Sequence, residues 1–312
     1  MATATNKSGA RECAAGILGL GLAYGGLALH VRLIADFFYL WAWGGWFLLA
    51  DGGNRLLFGR SPWSDSPRGT LTLALVSIPW WLFFELLNFR LRNWAYEGLP
   101  EPLVIRWCGY AVSFATVLPA IEEGRYFIEG FLPRGPAVSP RREVRRRWLG
   151  TAQACGVLFL ALPMAWPRLF FPLVWGGVFL ILEPALMREA PERSWLFRWL
   201  QGERRAGAAL LGAGLLCGFF WELFNYWASV KWVYTIPWPR GPKIFEMPWL
   251  GYVGFMPFAL ECESFRQWMD LRVSRASSSA RAAWAAGLAL FCLAVFAAMD
   301  RTTVRSFSSA RF

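Results

Sequence analysis

Histidine is almost missing from this chain of 312 residues: His30 stands alone, and lysine occurs only at Lys7, Lys231 and Lys243. One histidine excludes bis-histidine haem ligation, histidine-rich metal centres and a Ser-His-Asp triad. The six cysteines (13, 108, 155, 217, 262 and 292) form no CxxC pair and have no metal-ligand spacing. They lie in or beside apolar segments and read as small buried hydrophobes. There is no phosphate-binding glycine loop and no redox motif, so neither a cofactor nor a metal is expected. Charged residues are also scarce, at 17%. The net charge of +11 comes from arginines in short segments between apolar runs. The positive-inside rule puts them there, so a nucleic-acid partner is not expected. Arginine's dominance over lysine points to a GC-rich bacterial genome.

What the chain has in abundance is apolar residues, at 56%, in several runs of about 19 residues, long enough to cross a bilayer as helices. The expected class is an all-α integral membrane protein. An interfacial aromatic belt accounts for some of the 20 tryptophans. It does not account for Trp43, Trp81, Trp175 or Trp221, which lie inside apolar runs. The first run follows a short polar N-terminus and resembles a signal peptide. An equivalent run opens the second half near Ala154, so it reads as a retained span.

The chain also repeats itself, which fixes the architecture before any local reading. Phe83, Glu85, Leu86 and Asn88 recur as Phe220, Glu222, Leu223 and Asn225. Trp94 and Tyr96 recur as Trp232 and Tyr234, and Gly109-Tyr110 as Gly251-Tyr252. Pro119 and Glu123 are matched to Pro257 and Glu261, while Trp43-Gly44-Gly45 and Asp51 answer Trp175-Gly176-Gly177 and Glu183. Apolar runs at about 13–29, 34–50, 71–89 and 103–128 are repeated at about 151–165, 168–187, 206–227 and 247–269. A ninth run, Ala282 to Met299, has no counterpart. The expected domains are a four-helix repeat at 1–135, a basic cytoplasmic linker at 136–150, a second repeat at 151–275, and an extra helix with a tail at 276–312. Arginine counting puts the N-terminus and linker in the cytoplasm of a bacterial inner membrane, with the repeats parallel about an axis along the membrane normal. Spacings such as Gly21xxxGly25 and Gly214xxxGly218 permit close helix contacts.

The candidate site residues follow from the repeat. An ionisable side chain inside a span is costly, so it marks a site by default. Glu85/Asn88 and Glu222/Asn225 each share a helix face. They serve either chemistry or a polar clamp, bonding across the repeat axis or capping the helical hairpin. Glu122/Glu123 and Glu261/Glu263 follow prolines near the inner end, where a broken span points to a binding site, although Arg125 and Arg266 beside them also suit a boundary ion pair. At 1.5 Å per residue, Glu85 and Glu123 lie on the order of 20 Å apart, so two carboxylate layers are expected, each a pair across the halves. Trp94, Tyr96, Trp232 and Tyr234 read as interfacial anchors or as a lid over a lipid-accessible cavity. Tyr110 and Tyr252 complete the expected binding set.

Pro119-Ala120-Ile121-Glu122-Glu123, with Trp94-Ala95-Tyr96 upstream, resembles the Pro-x-Glu-Glu motif of the membrane-integral lycopene cyclases of the two-subunit and fused type. The overlap covers about 50 residues per half. The motif here is one residue longer, and the second half has no adjacent glutamate pair. The resemblance implies acid-initiated cyclisation of a polyene. Independently of it, such a reaction needs a buried neutral carboxylic acid and aromatic faces to stabilise the cation. Three readings stay open: an enzyme acting on an isoprenoid or other lipid through Glu122, Glu123 and Glu261 with Glu85 and Glu222 in support; a non-catalytic membrane subunit or pigment-binding protein; and a proton-coupled transporter. The expected partners are a membrane lipid or isoprenoid-like ligand and a further membrane protein.

Overall fold

The computed structural model describes residues 2–133 and 146–308, so most of the expected linker at 136–150 lies outside the described residues. The first half contains α1 (Ala2–Ala28), the short α2 (Arg32–Asp36), α3 (Phe38–Phe58), the short α4 (Pro62–Asp65), α5 (Pro67–Leu91), α6 (Leu103–Ala115) and α7 (Val117–Phe131). The second half contains α8 (Arg146–Ala165), α9 (Pro167–Phe170), α10 (Val174–Glu189), α11 (Trp195–Leu200), α12 (Arg204–Trp227) and α13 (Phe255–Arg275), followed by α14 (Ser278–Thr302). Six helical stretches are long and apolar enough to cross a membrane: α5, α6 with α7, α8, α9 with α10, α12 and α14. α1, α3 and α13 have the length but are not among these six. Large apolar side chains such as Leu18, Leu75, Val104 and Leu290 point outward. The fold is that of a helical membrane protein.

Local chemistry sets the breaks. Pro119 has no N–H, and its ring clashes with the carbonyl four residues back, which belongs to Ala115. Helix α6 ends at that residue. The break separates the Phe114 carbonyl from the Leu118 N–H, and the Ser77 hydroxyl of α5 serves both. It donates to Phe114 O at 2.6 Å and accepts from Leu118 N at 3.0 Å. At the end of α3, Gly59 adopts φ 79° and returns its N–H to Arg55 O, a left-handed cap that costs glycine little.

Helix α1 packs on α3, and α8 on α10. A Cβ on Gly16 would come within 2.5 Å of Leu49 N, and one on Gly156 within 2.8 Å of Gly177 O. Gly214 makes a similar close contact with Phe255, whereas Gly21 and Gly25, expected at a contact, face open space. Between the halves, α12 packs against α7 and α3, and α14 leans on α5.

Short strands join the helix ends. β1 (Trp94–Glu97) follows α5, β3 (Lys231–Tyr234) follows α12, and the two pair antiparallel, with Trp94 opposite Tyr234 and Tyr96 opposite Trp232. β2 (Leu99–Pro100) pairs in parallel with β6 (Phe307–Ser308), and β4 (Lys243–Ile244) pairs with β5 (Met247–Pro248). The all-α expectation therefore holds for the body of the fold but not for its outer connections.

Candidate functional site

The site begins with two asparagines. Asn88 accepts from Asn93 N at 2.8 Å and donates to Trp94 O at 2.9 Å, turning the chain back over the end of α5. Asn225 makes the same fold-back with Trp232 N and O, both at 2.9 Å. Both asparagines thus cap the strands that follow their helices. Their turns bring the aromatic residues to the glutamates. Glu85 Oε1 accepts from Trp81 Nε1 and Trp94 Nε1 at 2.9 Å each and from the Tyr96 hydroxyl at 2.5 Å. Glu222 Oε1 accepts from the Tyr234 hydroxyl at 2.6 Å. Burial, reinforced by the adjacent carboxylate, holds both phenols well above the ordinary tyrosine range, so both remain donors. Of the two structural readings, the hairpin cap is the one formed: each glutamate holds its own half's strand.

Trp94 and Tyr96 are buried, and with Trp232 and Tyr234 they line a cavity of about 440 Å³ to which both halves contribute. Trp81, Trp175 and Trp221, three of the tryptophans that a belt does not explain, line it as well, and Trp43 packs behind Trp221 at 6.3 Å between ring centroids. Tyr39 and Phe258 complete the aromatic wall. Tyr110 reaches the cavity, but Tyr252 does not line it; its hydroxyl donates to Ile244 O. Glu222 lines the cavity, fully buried, and its Oε2 has no hydrogen-bond partner among the described residues. Glu85 Oε2 is likewise buried and unpartnered.

Glu122, Glu123, Glu261 and Glu263, the carboxylates that follow the prolines, do not line the cavity. Glu122 pairs with Arg125 at 2.8 Å, as Glu263 does with Arg266 at 2.7 Å. Glu123 accepts from Asn54 Nδ2, Ser61 Oγ and Trp63 N at 2.7, 2.8 and 3.0 Å. Glu261 Oε1 accepts from Val178 N at 2.9 Å. That donor is exposed because Trp175, at φ −82° and ψ 28°, breaks α10 one turn earlier, so Glu261 acts as an N-cap inside the bundle. Glu123 and Glu261 thus do not form the expected pair across the halves. The side chains match Glu122-Arg125-Glu129 to Glu263-Arg266-Asp270, which sets Glu123 against Ser264. Counting from the prolines misplaces this register by three residues.

Two features escape the repeat. Asp300 of α14 accepts from Arg106 at 2.8 Å through both oxygens, from Trp107 Nε1 at 2.9 Å and from the Tyr110 hydroxyl at 3.0 Å. The backbone beyond it lies beside β1: Tyr96 N donates to Thr303 O, and Arg305 N to Tyr96 O. One signal was available for Asp300, since it is the first charge after an uncharged run. Ser77 offered none.

No known protein family, curated protein or solved structure matches the chain.

Proposed function

We propose that this is a bacterial inner-membrane protein that holds a hydrophobic, lipid- or isoprenoid-like ligand in the aromatic cavity. In this reading the chain crosses the membrane nine times with a cytoplasmic N-terminus. Its two duplicated four-helix halves meet at the β1–β3 pair, with α14 added. The observation that carries the reading is the cavity: about 440 Å³, walled by tryptophan and tyrosine from both halves, with the buried Glu222 among its few polar lining groups. Small-molecule pockets share that size range and that mixture of apolar wall and few polar groups. Solvent extraction of the purified protein followed by mass spectrometry tests it. Gly109 lines the cavity and a Cβ there meets nothing within 4 Å, so a side chain starts there without a backbone clash and Gly109→Leu is expected to narrow the cavity. A ligand present in the wild type and depleted in Gly109→Leu supports the reading; equal extracts from both refute it.

One observation favours a second, catalytic reading: Glu222, whose Oε2 has no hydrogen-bond partner among the described residues, lines a cavity walled by tryptophan. A protonated acid there would be placed to start a cyclase-like reaction on a polyene, with the rings stabilising the cation. Glu222, rather than Glu122 or Glu123, is then the acid. Co-expression with linear polyenes should give a product that Glu222→Gln abolishes and Glu123→Gln spares.

A further inference from the structure

Four charged side chains line the cavity: Asp36, Arg106, Glu222 and Lys231. Three have partners of opposite sign. Asp36 faces Arg32 at 3.8 Å, Arg106 bridges to Asp300 at 2.8 Å, and Lys231 meets Glu246 at 3.2 Å. Glu222 has no ion pair among the described residues, and its Oε2 accepts no hydrogen bond. A carboxylate taken out of water without a partner is among the costliest arrangements a protein can hold, so a counter-charge is needed if it is ionised. The aromatic lining around it suits an organic cation. Trp221 precedes Glu222 on α12, and Trp232 packs edge to face on Tyr39 with ring centroids 5.6 Å apart. Rings of this kind attract an ammonium through their negative faces, most strongly where water is excluded.

From this we infer that the ligand is a cationic amphiphile, with an ammonium head seated between Glu222 and the Trp221, Trp232 and Tyr39 rings and an apolar body against the remaining wall. The inference rests on the reading that the cavity holds a ligand, and it names the chemistry of that ligand's head. An anionic head is disfavoured by Glu222. A neutral head gains from the rings only through area. Glu85 is not equivalent: its Oε1 takes three donors and the side chain does not line the cavity.

The test uses three probes with the same chain, octyltrimethylammonium, octanol and octyl sulfate, titrated into the purified full-length protein in maltoside micelles with tryptophan fluorescence as the readout. The expected order is ammonium tightest, by about tenfold or more over octanol, and sulfate weakest. Glu222→Gln should bring the ammonium within about threefold of octanol, and Glu222→Asp should retain the preference. A monodisperse gel-filtration profile like that of the wild type shows that the variant is folded. If the wild type binds ammonium and octanol alike, or the preference survives Glu222→Gln, the cationic head is wrong although the cavity still binds ligand. If no probe binds, the ligand reading itself fails. Should Glu222→Gln not fold, the ranking of the three probes on the wild type decides alone.

Discussion

Trp94 lies directly opposite Tyr234 in the β1–β3 pair, and two residues along Tyr96 lies opposite Trp232. In the sequence repeat, Trp94 answers Trp232 and Tyr96 answers Tyr234. Exchanging the halves therefore returns the same set of pairs, which is the signature of a self-complementary, two-fold contact. It places the two fold-backs against each other above the cavity.

That register permits a cross-link. Ala95 pairs with Val233, and directly opposed residues of an antiparallel pair have separations within the reach of a disulfide. Ala95→Cys/Val233→Cys, with a protease site inserted between positions 138 and 139, should remain one species on a denaturing gel after cleavage until it is reduced. Each single variant should fall into two fragments. Two fragments from the oxidised double variant would show that the strands do not meet.

The two outer glutamates carry unequal structural loads. Glu85 accepts three donors and Glu222 one, so removing Glu85 leaves three donors, two of them buried, without an acceptor. Each orphaned donor costs about 1–3 kcal/mol. Glu85→Leu should destabilise by roughly 3–6 kcal/mol and Glu222→Leu by about 1–3 kcal/mol, measured by unfolding in mixed micelles with tryptophan fluorescence. Equal losses would contradict the asymmetry.

Ser77 and Pro119 should be coupled. The serine hydroxyl stands in for the helical bond that the proline prevents, so Ser77→Ala should cost about 1–3 kcal/mol in the wild-type background. With Pro119→Ala, α6 and α7 can join and Phe114 O can accept Leu118 N directly. The serine should then be worth less than about 1 kcal/mol in a double-mutant cycle. An equal cost in both backgrounds would assign the break to something other than the proline.

These cases show what could be read in the sequence and what could not. Hydrophobic length placed the helix from 71 to 89 within Pro67–Leu91 and the run from 206 to 227 beside Arg204–Trp227, because each is a continuous apolar stretch between polar ends. The repeat picked out Glu85, Asn88, Glu222 and Asn225 as a set, and they work as one. Their geometry was hidden, since a fold-back held by a single asparagine has no periodicity. The register of the inner carboxylates was misjudged because prolines mark where a helix breaks rather than which side chains correspond. The Asp300 contact joins residues nearly 200 positions apart, and one aspartate at a helix end carries no signal of what it will meet.

The nine-span reading makes a prediction about sidedness. Glu101 and Ser279 are exposed, at the α5–α6 connection and at the start of α14, and in this reading they lie on opposite faces. A membrane-impermeant maleimide applied to intact spheroplasts should label Glu101→Cys and spare Ser279→Cys until the membrane is opened. Native Cys108 is exposed and must first be replaced by Ser. Labelling of both from outside would remove either a span or the assigned orientation.

The C-terminal segment supplies the last test. Arg106 gives two bonds to Asp300 and two more to Pro100 O and Glu101 O, so one guanidinium ties α14 to the turn before α6. Both members are largely buried, with side chains 8% and 13% exposed, so losing one leaves an uncompensated charge rather than a solvated one. Asp300→Asn should therefore cost about 2–4 kcal/mol, more than an exposed pair such as Arg60–Asp65, where less than about 1 kcal/mol is expected. The effect should also be visible locally. Arg305 sits in the stretch that borders β1, its backbone N–H held by Tyr96 O, and this backbone must detach before trypsin can bind it. Asp300→Asn should speed cleavage after Arg305 several-fold at a protease concentration where Asp65→Asn does not. If cleavage is unchanged while global stability falls, Asp300 supports the bundle but does not hold the strand-side segment.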